Sequence, residues 1–381
     1  MTIPQSFLEE IRARTVLSGL VSARVKIVRK GREFEGLCPF HSEKTPSFTV
    51  SDEKGFYHCF GCGAHGDAIR WLTDAGGMGF IDAVRQLSEA AGLTMPERSP
   101  EAAKREERRA GLLPLLEAAQ AFYAGQLEAC GAAREYLAER GWDGKACATY
   151  GIGWAPGRSL SVRSALAGAD EAELRAAGLI AGEKNEDFLW QRITIPVRDG
   201  RGRVIGFAAR SVENPSTGPG RAGSGVAGPK YVNSPDGPVF DKGRTLFNLD
   251  RAAALARQTR RLVVVEGQFD AWALDRVGFA AVAPMGSALT EAQIERAWRV
   301  SNVPVLMFDG DAAGRAAAVR ACERALAGVG PGRSLAIAML PEGEDPDGLA
   351  RKGCKKALTA VIDAARPLDE FLFDAIMGEA A

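Results

Sequence analysis

At 381 residues, with 46% apolar and 25% charged side chains, the chain is long enough for two or three globular domains and too apolar to be disordered. Its opening residues mix Glu9, Glu10, Arg12 and Arg14 with apolar positions and no later run is apolar enough to span a bilayer, so neither a membrane segment nor a secretory leader is expected and a cytoplasmic protein is predicted. Formal net charge is zero, which argues against a uniformly basic nucleic-acid binder, yet residues 192–261 carry thirteen Lys or Arg against five Asp or Glu (+8) and residues 262–381 twelve against seventeen (−5).

Phe7, Ile11 and Val16 predict an opening helix, and Arg24–Lys30 reads as a strand. Two ligand pairs of equal spacing follow: Cys38-Pro-Phe-His41 and, seventeen residues on, Cys59-Phe-Gly-Cys62. One tight turn can aim both members of such a pair at one ion, and Cys38, His41, Cys59 and Cys62 together predict a closed tetrahedral zinc site. With four protein ligands the ion is structural. Phe48, Val50, Phe56 and Tyr57 predict two ribbon strands between the pairs, and His58 and His65 fit no second pair and read as surface residues. Phe48, Phe56, Tyr57 and Phe60 lie among Lys30, Arg32, Lys44 and Lys54, a mixture that would stack unpaired bases unless the rings form the ribbon's own core. The remaining cysteines, Cys130, Cys147, Cys322 and Cys354, are scattered and read as packing thiols of a reducing compartment.

Apolar spacing from Ala68 to Ala91 predicts helix, and the charged stretch to Gly111 reads as a linker or a solvated helix. A helical stripe restarts at Leu112. Arg192–Val197 and Arg203–Ala208, joined by Asp199-Gly200, predict a β-hairpin, and Asn214–Gly228 reads as a Gly/Pro/Ser-rich loop. From Leu262 the pattern becomes strand (262–265), helix (268–277), strand (303–308), helix (313–327), strand (335–340), the signature of a parallel sheet. The predicted domains are 1–100, a linker 101–111, a basic subdomain 112–261, an α/β core 262–345 and a closing segment 346–381. The class is α/β and multidomain: a zinc ribbon, a mixed α/β basic subdomain and a mostly parallel sheet.

Each strand of that last pattern ends in acid: Glu266, then Asp309 and Asp311, then Glu344, Asp345 and Asp347, with Asp270 on the first turn after Glu266. Ligands of open parallel sheets lie at the carboxyl ends of the strands. Carboxylates gathered there repel one another, and a hard divalent cation compensates them. Phosphoryl or nucleotidyl chemistry is the expected use of such a site.

Cys38-Pro-Phe-His-Ser-Glu-Lys-Thr-Pro-Ser-Phe48 with Tyr57-His-Cys-Phe-Gly-Cys-Gly63 closely resembles the CHC2 zinc-binding domain of bacterial DnaG-type primases. Val265-Glu-Gly-Gln-Phe-Asp270, Phe308-Asp-Gly-Asp-Ala-Ala-Gly314 and Glu344-Asp-Pro-Asp347 resemble the Toprim motifs of the same family, and Gly202–Phe207, Lys230–Pro235 and Phe240–Gly243 its basic subdomain. The resemblance implies a DNA-dependent RNA polymerase that makes short RNA primers from ribonucleoside triphosphates on a single-stranded DNA template. It assigns Zn²⁺ to the ribbon and Mg²⁺ or Mn²⁺ to Glu266, Asp270, Asp309, Asp311, Asp345 and Asp347, with Glu266, Asp309 and Asp311 catalytic. Arg210, Lys230 and Lys242 match positions facing template or triphosphate. Gln268 and Phe269 replace the commoner Tyr and Met without touching the metal-binding set. Family members continue into a helicase-docking domain beyond the last residue here, so helicase recruitment is not expected of this stretch. A Toprim topoisomerase or nuclease would need a tyrosine nucleophile, and none of the five tyrosines lies in such a motif. A non-catalytic, zinc-dependent single-strand binder would leave the acids at all three strand ends unexplained.

Overall fold

The computed structural model describes residues 3–96, 100–157, 160–183, 185–212, 229–286, 288–341, 343–353 and 355–379. The loop expected at Asn214–Gly228 and Cys354 lie outside them. The chain divides into two compact units, Met1–Lys104 and Arg105–Ala381.

The first unit opens with α1 (Gln5–Arg14) and α2 (Leu17–Ser22), and continues as a meander of β1 (Ile27–Lys30), β2 (Glu33–Gly36), β3 (Phe48–Ser51), β4 (Phe56–Cys59) and β5 (His65–Gly66). Helices α3 (Ala68–Asp74) and α4 (Phe80–Ala90) close it. The stretch expected as one helix from Ala68 to Ala91 is broken: a Cβ at Gly76 would lie 2.1 Å from the Leu72 carbonyl oxygen, and Gly77 takes φ +65°. Val16, expected on the first helix, lies between α1 and α2 and is exposed.

Strand pleating corrects the reading of the ribbon's aromatics. On β4, Tyr57 and Cys59 face inward, so the alternate residues Phe56 and His58 face out. Phe48 and Tyr57 pack with Phe40 and Trp71 at ring separations of 5.5–6.4 Å and are buried, which removes both from any base-stacking surface. The exposed rings are Phe56 and Phe60, adjoined by His65 and His58.

Residues 101–111, expected as a linker or a solvated helix, lie in the helix α5 (Pro100–Gln126), within which the boundary between the units falls. Ala, Glu, Lys and Arg dominate that stretch, and their helix propensity accounts for the helix. In the second unit α6 (Gly131–Glu139), α7 (Gly144–Tyr150), β6 (Gly153–Ala155), α8 (Val162–Ala165), α9 (Glu171–Ala176) and the two-residue strands β7 (Ile180–Ala181) and β8 (Glu186–Asp187) lead to the predicted hairpin. Its strands are β9 (Arg192–Arg198) and β10 (Val204–Ser211), and with β11 (Tyr231–Asn233) they form an antiparallel sheet in the order β11-β10-β9-β6.

The second sheet comprises β12 (Leu246–Phe247), β13 (Val263–Val264), β14 (Ala281–Pro284), β15 (Val305–Phe308), β16 (Ala336–Met339) and β17 (Arg366–Pro367) in the order β12-β14-β13-β15-β16-β17. The four central strands are parallel and the two edges antiparallel. Helices α10 (Leu249–Thr259), α11 (Gln268–Arg276), α12 (Glu291–Trp298), α13 (Ala312–Ala325), α14 (Pro346–Arg351), α15 (Lys355–Asp363) and α16 (Leu368–Glu379) connect or follow these strands. Alternation divides the strands between two cores. Val263, Val265, Met307 and Ala338 join the core shared with the antiparallel sheet, while Val264, Leu306, Phe308 and Ile337 pack with Ala318, Cys322 and Trp298 on the other side. Strand β14, which sequence periodicity did not reveal, lies between β12 and β13, so the acid-tipped strands β13, β15 and β16 remain immediate neighbours.

Candidate nucleotidyl-transfer and zinc sites

The ribbon turns bring the four soft donors together. Cys38 Sγ lies 3.6 Å from Cys62 Sγ, Cys59 Sγ lies 3.8 Å from His41 Nδ1, and all four ligand atoms are within 4.8 Å of one another. A tetrahedron built on zinc–sulfur bonds of about 2.3 Å has edges of about 3.8 Å, so the set fits one zinc ion. His41 presents Nδ1 to this group because its Nε2 lies 3.2 Å from Glu43, which also accepts hydrogen bonds from the Cys38 N–H and from Ser47. Burial first, then neighbouring thiols, pushes the Cys38 thiol up to about 12, so metal uptake must displace a proton.

In the second unit the three strand ends deliver carboxylates as expected. Glu266 follows β13 and its Oε1 accepts the Asp309 N–H at 3.3 Å. Asp311 caps α13 by accepting the Gly314 N–H at 2.7 Å, and Asp345 caps α14 by accepting that of Gly348 at 2.5 Å. Asp270, on α11, accepts the Asp347 N–H at 3.3 Å. A Cβ at Gly267 would meet the Asp270 carboxylate at 2.6 Å. One at Gly310 would lie 2.2 Å from the Leu340 carbonyl oxygen and 2.7 Å from the Pro341 backbone. Because only backbone could give way there, Gly310→Ala is expected to force the β15 and β16 ends apart and destabilise the protein by about 1–3 kcal/mol; a urea midpoint equal to the parent's would contradict this contact.

The carboxylates feel one another. Desolvation first, then the charges of Asp345, Asp309 and Asp347, pushes Asp270 up to about 7. Desolvation and the charges of Glu266, Asp345 and Asp311 push Asp309 up to about 6. Without a cation the folded state therefore binds more protons than the unfolded chain, whose aspartates titrate near 3.9. Stability from these groups is fully present below that value and is lost as pH rises through 6 and 7. All three histidines lie in the first unit, so none obscures this window in the second. Chelator-treated protein should show its second-unit calorimetric transition at least ~2 °C higher at pH 5 than at pH 8, and the opposite order would contradict the repulsion.

The carboxylate set is chemically suited to a hard divalent ion but is more open than the zinc set: among the described residues, no three of its oxygens converge within 4.8 Å. Asp347 differs from the others. Its side chain is only 3% exposed, and its Oδ2 lies 3.3 Å from Arg140 Nη1 and 3.4 Å from Arg351 Nε. Burial nevertheless raises its pKa against the pull of both guanidiniums.

Arg210 is also differently placed from the exposed substrate contact expected of it. It is 6% exposed, with its guanidinium 4.9 Å from the ring centres of both Tyr136 and Tyr231 and hydrogen-bonded to the Tyr231 hydroxyl. Lys230 is exposed, and its pKa is lowered chiefly by the Arg210 charge. Lys242 is half-buried, 3.8 Å from Asp236. Sequence reasoning missed Tyr136, Arg140 and Arg351. The available signal was the Tyr136/Arg140 pair at i,i+4, with Arg140 as the C-cap residue of α6.

Comparison with known proteins finds matches to three successive regions of the chain. Residues 3–103 match the CHC2 zinc finger, residues 122–253 the N-terminal domain of the DNA primase catalytic core, and residues 260–332 the Toprim domain. The chain is 40% identical to the DNA primase of Escherichia coli K12 over 98% of its own length and 64% of that protein's, and 39% identical to the DNA primase of Pseudomonas aeruginosa over 99% and 57%. A solved structure of the DnaG primase catalytic domain bound to ssDNA shares 37% identity, covering 72% of this chain and 84% of that one with a TM-score of 0.64. The zinc-binding and RNA polymerase domains of Aquifex aeolicus primase share 30% identity, covering 97% of this chain and 87% of that one with a TM-score of 0.60. The chain belongs to the bacterial DnaG primase family. It spans under two thirds of the curated primases it matches, and the part it spans contains the CHC2, catalytic-core and Toprim regions of a DnaG primase. Among its described residues, no helix is long and apolar enough to cross a membrane.

Proposed function

We propose that this chain makes short RNA primers by DNA-directed nucleotidyl transfer. The observation that carries the reading is the placement of Glu266, Asp309, Asp311 and Asp345 at the ends of three neighbouring parallel strands, in a DnaG-family unit that also presents the exposed cation Lys230. The substrates are ribonucleoside triphosphates and a single-stranded DNA template. Mg²⁺ or Mn²⁺, when held by Glu266, Asp309, Asp311 and Asp345, supplies charge neutralisation for the triphosphate. Asp270 borders this set and, with its carboxyl titrating at about 7, is a reserve ligand. The growing strand's 3′-oxygen attacks the α-phosphorus, its proton passes to a Glu266 Oε atom, and the bond to the leaving pyrophosphate breaks. Lys230 and Lys242 tether phosphates without reading sequence, and Arg210 acts behind them by holding the Tyr231 ring and depressing the Lys230 pKa. Cys38, His41, Cys59 and Cys62 hold one structural Zn²⁺, and the exposed rings Phe56 and Phe60 offer the template a stacking surface.

The topoisomerase reading loses its nucleophile. Tyr57, Tyr123 and Tyr150 are buried, while Tyr136 and Tyr231 are committed to Arg210. The decisive assay incubates the protein with single-stranded templates, ribonucleotides and Mg²⁺ or Mn²⁺ and looks for template-dependent oligoribonucleotides. Absence of product under both metals, with template still bound, would replace this reading by that of a non-catalytic single-strand binder.

A further inference from the structure

We propose that Asp347 is a positioning residue, not a metal ligand, whose buried carboxylate forms with the partly exposed Arg140 and Arg351 an ionic clamp that seats helix α14, and with it Asp345, against the end of helix α6. This rests on the reading that the neighbouring carboxylates hold a divalent cation.

Both partners of Asp347 converge on the same oxygen, Oδ2. A cation bound there would have to displace two guanidiniums and then sit beside their charges, whereas no ion pair engages Asp309, Asp311 or Asp345 among the described residues. The partners come from two directions. Arg351 is on α14 itself, four residues after Asp347, and its Nη1 also reaches the Glu139 carbonyl oxygen at 3.4 Å, while its stem lies over Gly141. Arg140 ends α6, 207 residues away in sequence. The Arg140 guanidinium lies 5.0 Å from the Tyr136 ring centre, and that ring also meets Arg210, which stacks on Tyr231. A continuous row thus runs from Asp347 through Arg140, Tyr136 and Arg210 to strand β11. Two residues before Asp347, Asp345 caps the same short helix, so the orientation of its free oxygen follows the seat of α14. The Asp347 N–H to Asp270 bond fixes that seat from the other side.

The test uses the full chain and Mn²⁺ as probe, with binding followed by titration and electron paramagnetic resonance. Asp309→Asn should weaken Mn²⁺ binding by about tenfold or more, whereas Asp347→Asn should leave it within about threefold of the parent yet alter the line shape of the bound ion. Arg140→Gln should lower the metal-free melting temperature by about 5 °C, and by much less when Asp347 is already Asn. If the Asp347 variant does not fold, Arg140→Gln decides alone: a lowered melting temperature with an altered line shape supports the clamp. A tenfold gain in Mn²⁺ affinity on freeing Asp347 would identify a ligand and overturn it. Equal tenfold losses for the Asp309 and Asp347 variants would also overturn it, as would an Arg140 effect independent of Asp347. Failure of Asp309→Asn to weaken Mn²⁺ binding would instead remove the metal reading on which the clamp depends.

Discussion

Glu266→Gln and Asp309→Asn should each reduce primer synthesis by at least about a hundredfold while leaving the protein more stable than the parent in the absence of metal. Both effects have one origin. The pair is held by the Asp309 N–H to Glu266 Oε1 bond, and the desolvated carboxylates raise the Asp309 pKa to about 6. Either amide removes a negative charge without changing side-chain shape, and the carbonyl oxygen of the Glu266→Gln side chain can still accept the Asp309 N–H. The chemistry loses the charge that holds its cation, while the fold loses a repulsion. Primer yield and melting temperature at pH 8 in chelator check the two halves separately. Asp363→Asn, which removes an exposed ion pair with Arg261 remote from the strand ends, should stay within about twofold of the parent. A Glu266 variant that loses activity and stability together would point to misfolding and contradict the mechanism.

Removing zinc, or replacing Cys59 by Ala, should unfold the first unit and leave the second intact. The first unit has a buried core of its own, drawn from Ile3 to Leu87, and the cores of the second begin at Leu112. Four converging donors at the centre of a small ribbon make metal binding a folding term, on the scale of about 10–16 kcal/mol for zinc-finger peptides. Hydrogen exchange should show loss of protection across 27–90 and unchanged protection in β9, β10 and β15. Native exchange in the ribbon of a zinc-free Cys59→Ala protein would refute it. On the proposed function, such a protein should fail chiefly to start chains, while still extending an RNA primer already annealed to template.

Much of this architecture was readable because the ligands themselves set the pattern. Pair spacing picked out the four soft donors that converge in the ribbon, and acids placed after apolar runs located the strand ends. The ribbon's inside and outside were also encoded: Cys59 must face the ion, so Tyr57, two residues before it, faces inward and Phe56 does not. Aromatic type alone leaves Tyr57 open between stacking surface and core, and strand parity assigns it to the core. Other features depend on partners no local pattern contains. Arg210 is buried because Tyr136 and Tyr231 enclose it, and Asp347 is occupied because Arg140 arrives from another part of the fold. Strand β14 is only Ala-Val-Ala-Pro, too short to alternate, and its place is fixed by pairing with β12 and β13.

The borders of the parallel sheet bear on how the molecule meets others. Its outermost strands, β12 and β17, are two residues each, and β17 ends in Pro367, which has no N–H to donate. A passing chain finds almost no free ladder to extend, so association by strand addition is blunted at both margins. Growth of this sheet is thereby disfavoured at both of its edges, which leaves the acid-lined strand tips free of competition from it.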